Sequence, residues 1–399
     1  MSNPGLPDHL CQEAVNLVAE HGGMLHVAAR KAGIPHSTLQ NRYTKGLSRG
    51  FVPGGKVEAP DLQMEIRRLE AELAQARKAK FDIDVVKNEI LKLRDEFQDP
   101  PDWTLKSKKP NSSAGVATLF LSDLHWGEIV FPSQVNGVNE YNLDIAAKRL
   151  TTVVEHAVDL VKNHVTNKGY PGIVVFLGGD MVSGNIHQEL KETNEEPIMP
   201  VVLILAEQLL QKLRALADEF RRVHVAGVYG NHGRNTFKPT AKHSAFESFD
   251  WLIYRLLRWK LEGDSRFTWN IPDGSDAMVE VYGHRYLLTH GDQFRGGDGV
   301  IGALGPIIRG DHKKRSRNGQ IDLEYDTLCI GHWHQLVQMQ RVIVNGSLKG
   351  YDEYAYKSNF PYEPPRQALW LTHPEMGITF SMPVYADRKN FKKSQEWIK

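Results

Sequence analysis

Residues 115–125 read Gly-Val-Ala-Thr-Leu-Phe-Leu-Ser-Asp-Leu-His, a short β-rich run that closes on a carboxylate and an imidazole. The run Val116–Leu121 is bounded by glycine on one side and polar residues on the other, which reads as a strand. Asp123 and His125 follow at i and i+2. On a residual strand geometry both side chains point the same way and can hold one cation.

Working outward, Ile173–Leu177, Val223–Val228, Met278–Val281 and Tyr286–Leu288 also read as strands. Residues 143–163, 198–219 and 243–260 read as amphipathic helices between them. Several of the strands run into loops that carry further ligand types, and strand-end loops are where an α/β scaffold places function. Gly178-Gly179-Asp180 sets a carboxylate after a tight glycine turn, where its two oxygens can face two metals. Gly230-Asn231-His232 adds an amide oxygen and a histidine able to protonate a leaving oxygen. His290 stands in Thr289-His290-Gly291-Asp292, and Gly331-His332-Trp333-His334 again offers i and i+2 ligands.

This ordered set of motifs resembles the calcineurin-like metallophosphoesterase superfamily, whose pattern is D-x-H, G-D, G-N-H, H and G-H-x-H. Asn345-Gly346-Ser347 also looks like the superfamily's closing turn. The resemblance implies a four-layer αββα metallophosphoesterase sandwich of mixed α/β (α+β) class over residues 112–385. It further implies one metal on Asp123, His125, Asp180 and His334, a second on Asp180, Asn231, His290 and His332, and His232 as general acid. Mn²⁺ is the expected metal by likeness to the superfamily's nucleases, and such a donor set also accepts Fe²⁺ or Zn²⁺. His156, His187, His224, His284 and His312 fall outside the pattern and read as satisfied surface or core residues. Two departures stand out. The superfamily often follows G-N-H with Asp or Glu, where this chain has Gly233 and then Arg234. Its protein phosphatases extend G-D to G-D-x-x-D-R-G, and the absence of that extension here disfavours a phosphoprotein substrate.

Of the 399 residues, 41% are apolar and 24% charged, with a net charge of +1, so any contact with nucleic acid must come from local patches. Cys11 and Cys329 are the only cysteines and fall in separate segments, which argues against a disulfide framework and for a reducing cytosol. No apolar stretch is long enough to span a bilayer, and a soluble cytoplasmic protein with no membrane partner is expected.

Residues 1–50 read as three short helices with glycine breaks at Gly22-Gly23 and Gly33, the third opened by Ser37 as N-cap. Ala29, Gly33 and Leu39 hold the spacing of a helix-turn-helix, in which His36, Thr38, Gln40, Asn41 and Arg42 would face DNA. A linker over 51–60 precedes a heptad seam over 61–99, formed by Leu62, Ile66, Leu69, Leu73 and Ala76 and resumed after a stammer by Ile83, Val86, Ile90, Leu93 and Phe97. A coiled-coil homodimer follows from that seam, of undecided orientation, with a folded-back helix as the alternative. A second linker covers 100–111, and a surface arm follows Met382, with the domain itself ending at 385 and the arm covering 386–399.

The basic stretch Lys313, Lys314, Arg315 and Arg317 lies between two ligand motifs and reads as a loop able to track a phosphate backbone. The leading expectation is a DNA-directed phosphodiesterase or nuclease working by in-line attack of a hydroxide bridging two divalent cations. One alternative is a small-nucleotide phosphodiesterase or phosphatase with an amino-terminal dimerisation or partner-binding module. Another is a DNA-binding regulatory protein built on a non-catalytic, metal-bound scaffold.

Overall fold

A computed structural model describes residues 6–56, 68, 99–105, 115–165, 169–296 and 304–387. The chain divides into two compact units, Met1–Arg94 and Asp95–Lys399.

In the first unit, α1 (Asp8–Glu20), α2 (Leu25–Ala32) and α3 (His36–Ser48) enclose a small core of Ala14, Val18, Ala28, Ala29 and Leu39. Gly33 ends α2 in the left-handed conformation at φ 64, which a side chain would resist. At Gly46, α3 lies so close to α1 that an added Cβ would sit 2.9 Å from the Cys11 carbonyl oxygen. Two expectations change here. The N-cap of α3 is Pro35 rather than Ser37, with no side-chain cap bond, because the fixed φ of proline already suits a helix start. Residues 51–56 are not linker: β1 (Phe51–Val52) and β2 (Gly55–Lys56) pair as a hairpin, and Phe51 packs with Cys11 and Val15. The expected coiled-coil helix over 61–99 lies outside the described residues, apart from Arg68 and Asp99.

The second unit opens with α4 (Asp102–Leu105), β3 (Val116–Leu121), α5 (Leu143–Asp159), β4 (Ile173–Leu177), α6 (Gln188–Thr193) and α7 (Ile198–Phe220). There follow β5 (Val223–Gly227), α8 (Phe249–Lys260), β6 (Phe267–Asn270), β7 (Asp276–Val281), β8 (His284–Thr289) and α9 (Leu304–Gly319). The chain continues through β9 (Thr327–Ile330), β10 (Val337–Gln338), β11 (Val342–Val344), α10 (Glu353–Lys357), β12 (Arg366–His373) and β13 (Gly377–Tyr385). One sheet has the order β13-β12-β3-β4-β5-β6 and the other β10-β11-β9-β8-β7. The strands β3 to β6 are mutually parallel, whereas β12 is antiparallel to both β3 and β13.

Alternation along the strands explains how the two sheets share a core. From the first sheet, Phe120, Val174, Phe176, Ala226, Ala368 and Trp370 join Ala277, Val279, Tyr286, Leu288, Cys329 and Ile343 of the second in one buried cluster. Phe176 meets Tyr286 edge-on at 6.1 Å, and Trp370 lies 5.6 Å from Tyr286. The intervening residues Leu287, Leu328, Ile330, Val342 and Val344 point to the other side of the second sheet, where Ile307 of α9 and Phe294 cover them. Strands β3 and β4 are buried at every position, as expected of parallel strands covered on both faces.

The boundaries of this unit also differ from the expected ones. Part of the expected linker over 100–111 is structural, since Trp103 on α4 enters the shared core and the Thr104 carbonyl accepts a hydrogen bond from Tyr282 at 2.6 Å. The expected arm after Met382 begins instead as strand: β13 runs to Tyr385, Val384 and Ala386 are buried, and Asp387 pairs with Arg149 at 2.8 Å. Residues 388–399 lie outside the described residues. The expected helix over 243–260 begins only at Phe249, capped by the Ser248 hydroxyl. The basic stretch 313–317 is helical, inside α9, and not a loop.

Candidate metal centre

The loops that leave β3, β4, β5, β8 and β9 converge. Asp123, His125, Asp180, His332 and His334 all adopt left-handed backbone, with φ of 53, 47, 49, 67 and 53. The strand-like geometry expected for Asp123-Leu124-His125 is therefore not what aims the two side chains. Each chain end turns sharply instead, in a conformation that Asp and His tolerate better than most residues. Hydrogen bonds between loops hold these turns: the Asp123 amide donates to the Gly179 carbonyl and the His125 amide to the Asp180 carbonyl, both at 3.0 Å. The His332 amide donates to Asp123 Oδ1 at 2.9 Å. Glycines clear the remaining space, since a Cβ on Gly230 would collide with the Asp180 carboxylate and one on Gly331 with that of Asp123.

Three groups of donors result: Asp123, His125 and His334; His125, Asp180 and His232; and Asp180, His290 and His332. Within each, the donor atoms lie within 4.8 Å of one another. His125 Nε2 and His334 Nε2 face each other at 3.0 Å. His290 Nε2 stands 2.9 Å from Asp180 Oδ2, while Asp180 Oδ1 accepts the His232 amide at 2.7 Å. The Asn231 side-chain oxygen is buried with no hydrogen-bond partner. A buried amide oxygen without a donor is costly, and a cation between Asn231 and His290 would satisfy it. The imidazole, carboxylate and amide donors fit borderline divalent metals such as Mn²⁺, Fe²⁺ and Zn²⁺.

Protonation suits that role. Burial, Lys349 and His232 bring His125 down to about 4, and burial with His290 brings His332 to about 4, so both are neutral at pH 7 and able to donate to a cation. Burial would raise Asp180, but the imidazoles of His290 and His232 more than offset it and hold the carboxyl well below its ordinary range. Asp123 is likewise held below its ordinary value, burial being outweighed by the hydrogen bond and charge of His334. The Nδ1 of His290 bonds the Gly178 carbonyl at 2.8 Å, and that of His232 bonds Ser183 at 2.9 Å. A carbonyl only accepts, so Nδ1 carries a hydrogen in both rings and Nε2 is the nitrogen turned toward the centre.

Four supporting residues, Asp250, Glu128, Lys349 and Asp352, escape the motif pattern. Asp250 at the start of α8 is fully buried, and it accepts the amides of Asp180 and Gly230 on Oδ2, each at 2.9 Å, and that of Met181 on Oδ1 at 3.1 Å. It fills the space left by Gly233, where a Cβ would lie 2.7 Å from the Asp250 carboxyl carbon. Gly233, standing where the superfamily pattern often has an acid, is what leaves room for this carboxylate. Burial and then the charge of Asp180 push Asp250 up to about 7. Glu128 approaches His125 Nδ1 at 3.3 Å and is bound by Lys349 at 2.8 Å. Lys349 in turn reaches Asp352 at 2.5 Å, forming a buried carboxylate–lysine–carboxylate chain behind the ligand. Asn345 and Ser347 lock the other side: the Asn345 amide donates to Ser122 Oγ at 2.9 Å and Ser347 Oγ to the Asp123 carbonyl at 2.9 Å.

Of the five histidines read as outside the pattern, all but His187 sit apart from this chemistry. His224 Nδ1 bonds Thr268, His284 Nε2 bonds Thr327 and His156 Nδ1 bonds the Tyr385 carbonyl, each at 2.9 Å. The exposed His187 ring lies 5.8 Å from His232, and His312 is exposed on α9. Of the residues expected to meet nucleic acid, His36, Gln40 and Asn41 are exposed on α3, whereas Thr38 and Arg42 are half-buried. On α9, Lys314 is buried against Asp276 at 2.5 Å, Arg317 reaches the same carboxylate at 2.5 Å, and Arg315 pairs with Asp311 at 2.8 Å. Only Lys313 of the four is exposed without an ion pair among the described residues.

No protein-family profile matches the chain, and no characterised protein matches it in sequence. Among solved structures, a Staphylococcus aureus protein described as a 5′-nucleotidase and solved with alpha-ketoglutarate is similar at 12% identity and a TM-score of 0.30. That similarity covers 69% of this chain and 55% of the other, so the chain spans little more than half of that protein's length. A dimetal phosphatase from Danio rerio is similar at 11% identity and a TM-score of 0.29, over 69% of this chain and 100% of that one. Likeness at this level leaves the side-chain geometry as the basis for function. Among the described residues no helix is long and apolar enough to cross a membrane.

Proposed function

We propose that the chain is a dinuclear metal-dependent phosphoesterase of the calcineurin-like type, acting on phosphodiesters and directed to DNA. The observation that carries this is the shared carboxylate: Asp180 belongs to two of the three donor groups, with its two oxygens turned toward different partners. One cation is assigned to Asp123, His125, Asp180 and His334 and the other to Asp180, Asn231, His290 and His332, with Mn²⁺ as the favoured metal. Cations held there supply Lewis acidity toward phosphoryl oxygens and lower the pKa of water. The four-layer αββα reading is supported by the core shared between the sheets and by α9 over the far side of the second one.

In this reading the protein's own groups position and protonate. His232 presents Nε2 to the departing oxygen, its ring fixed by the Ser183 carbonyl and lying 4.6 Å from the His125 ring. Burial lowers its pKa against the opposing charges of Asp180 and Glu128, so the imidazolium gives up its proton readily. Asp250 holds the Asp180 backbone, and Glu128 orients His125.

The DNA reading draws on α2 and α3 as a helix-turn-helix with His36, Gln40 and Asn41 toward solvent, and on the coiled-coil pattern over 61–99 as a homodimer contact. Free, buried Cys11 and Cys329 suit the cytoplasmic location this entails. The second reading, a small-nucleotide phosphodiesterase or phosphatase, is favoured by one feature, a cavity of about 490 Å³ beside the centre. Mn²⁺-dependent cleavage of labelled single- and double-stranded DNA, beside bis-p-nitrophenyl phosphate and with Asp180→Ala as control, separates them. Cleavage of DNA lost in the variant supports the first reading; hydrolysis of the small diester alone selects the second. No hydrolysis of either by metal-loaded protein removes both.

A further inference from the structure

The cavity of about 490 Å³ opens against Asn231 and His290, the residues assigned to the second cation. Its size is in the range that encloses a nucleotide-sized ligand, roughly 300–1,000 Å³. Six cationic side chains line it: Arg234, Arg295, Arg309, Lys313, Lys314 and Arg317. Among the described residues the acid on the wall is Asp292, and Asp276 stands behind Lys314 and Arg317.

Among the described residues, the charges of Lys314, Arg317 and Arg234 are held in place and not fully cancelled. One Asp276 carboxylate serves two cations, Lys314 Nζ and Arg317 Nη2, each at 2.5 Å. That shared pairing fixes both heads in place and leaves a net positive charge at the wall. Among the described residues Arg234 is tied only by carbonyl oxygens, those of Thr236 at 2.8 Å and Phe237 at 3.5 Å, which position its charge without neutralising it. Arg295 and Lys313 are exposed at the rim. Phe294 and Pro306 supply an apolar stretch of wall able to face a sugar. Held cations beside a metal site are the arrangement that binds a phosphate group, through charge-assisted hydrogen bonds to its oxygens.

We propose that this cavity is a second-phosphate subsite: it takes a phosphate one sugar away from the phosphoester at the metal centre, making the preferred substrate one with at least two phosphate groups. The inference rests on the phosphoesterase reading, and it gives the basic residues of α9 a different task from tracking an extended backbone. Lys314 and Arg317 shape the pocket, while Lys313 and Arg295 meet the incoming anion.

The test is binding of thymidylyl-thymidine with and without a 5′-phosphate to the full-length protein by calorimetry in chelator, where no turnover intervenes. The phosphorylated ligand is expected to bind about tenfold tighter or more, from charge-assisted hydrogen bonds to the added group. In the Arg295→Ser/Lys313→Ser double variant that ratio should fall to about two, and in wild type it should shrink as salt rises. Because it is a ratio, it does not depend on the folded fraction. Equal binding of the two ligands by wild type, or a ratio unchanged in the double variant, overturns the subsite. Turnover of bis-p-nitrophenyl phosphate by Mn²⁺-loaded wild type is scored separately. A binding preference without turnover keeps the subsite and removes the catalytic reading; turnover without a preference removes the subsite alone. Thymidine 3′,5′-bisphosphate, whose two phosphates are also one sugar apart, separates the sources of a second phosphate. Binding as tight as the phosphorylated dinucleotide supports the subsite with small nucleotides as its ligand, and weaker binding supports it with the phosphates of an oligonucleotide.

Discussion

Replacing Asp250 should damage the metal centre without touching a metal ligand. Its two oxygens accept three buried backbone amides, those of Asp180, Gly230 and Met181, at 2.9, 2.9 and 3.1 Å. Asp250→Ala strands all three donors, and at about 1–3 kcal/mol for each unsatisfied buried group the loss is roughly 3–9 kcal/mol. Asp250→Asn keeps the shape; with its oxygen in the place of Oδ2 it still serves Asp180 and Gly230 but turns an amide N–H against that of Met181. One stranded donor costs about 1–3 kcal/mol, or roughly 2–12 °C in Tm for a domain of this size. Against a typical total of about 5–15 kcal/mol, alanine removes most of the stability and asparagine a fraction. Urea denaturation of metal-free wild type, Asp250→Asn and Asp250→Ala measures both steps. An alanine variant within about 1 kcal/mol of wild type would show that the carboxylate does not hold the loops, and the reasoning would fail.

Gly233→Asp restores the residue type that the superfamily pattern favours, yet it should destabilise by about 1–3 kcal/mol because its Cβ meets the Asp250 carboxylate. In an Asp250→Ala background the same change should cost less, and a double-mutant cycle with no coupling would argue against shared space. Burial opposes the His290 imidazolium, but the charge and hydrogen bond of Asp180 outweigh it and raise its pKa to about 10 in the metal-free protein. A cation on Nε2 must displace that proton, so metal affinity should rise about tenfold per pH unit between about pH 7 and 9. The same shift gives the metal-free protein a stability contribution that is full below the ordinary histidine value of 6.5 and lost as pH rises through about 10. Chelator competition and Tm against pH check the two parts, and flat profiles in both would contradict the assignment. Glu128→Gln withdraws the charge between His125 and Lys349 and should weaken metal binding about 10–100-fold; unchanged affinity would show that Glu128 does not orient the ligand.

The amino-acid sequence alone determined which side chains are available at the centre and in what order they arrive. Val116–Leu121 and Ile173–Leu177 are apolar enough to be strands buried on both faces, and candidate ligands follow each at once. Other elements were beyond its reach for reasons of length and pattern. Thr327–Ile330 and Val342–Val344 are too short for their period to separate strand from helix. Leu304–Gly319 carries two glycines beyond its first turn, a proline and a polar second half, so its helix is owed to packing, with Gly310 against the Phe294 ring and Ile307 on the second sheet. The choice of partner was tertiary throughout. Gly233 stood out as a departure from the pattern, but only the fold shows that it makes room for Asp250 from the next helix. His125 and His334 are far apart in sequence and face each other at 3.0 Å because left-handed turns at two strand ends aim them into one volume. Spacing along a chain records local direction, whereas the distance between two strand ends depends on how the sheet between them is built.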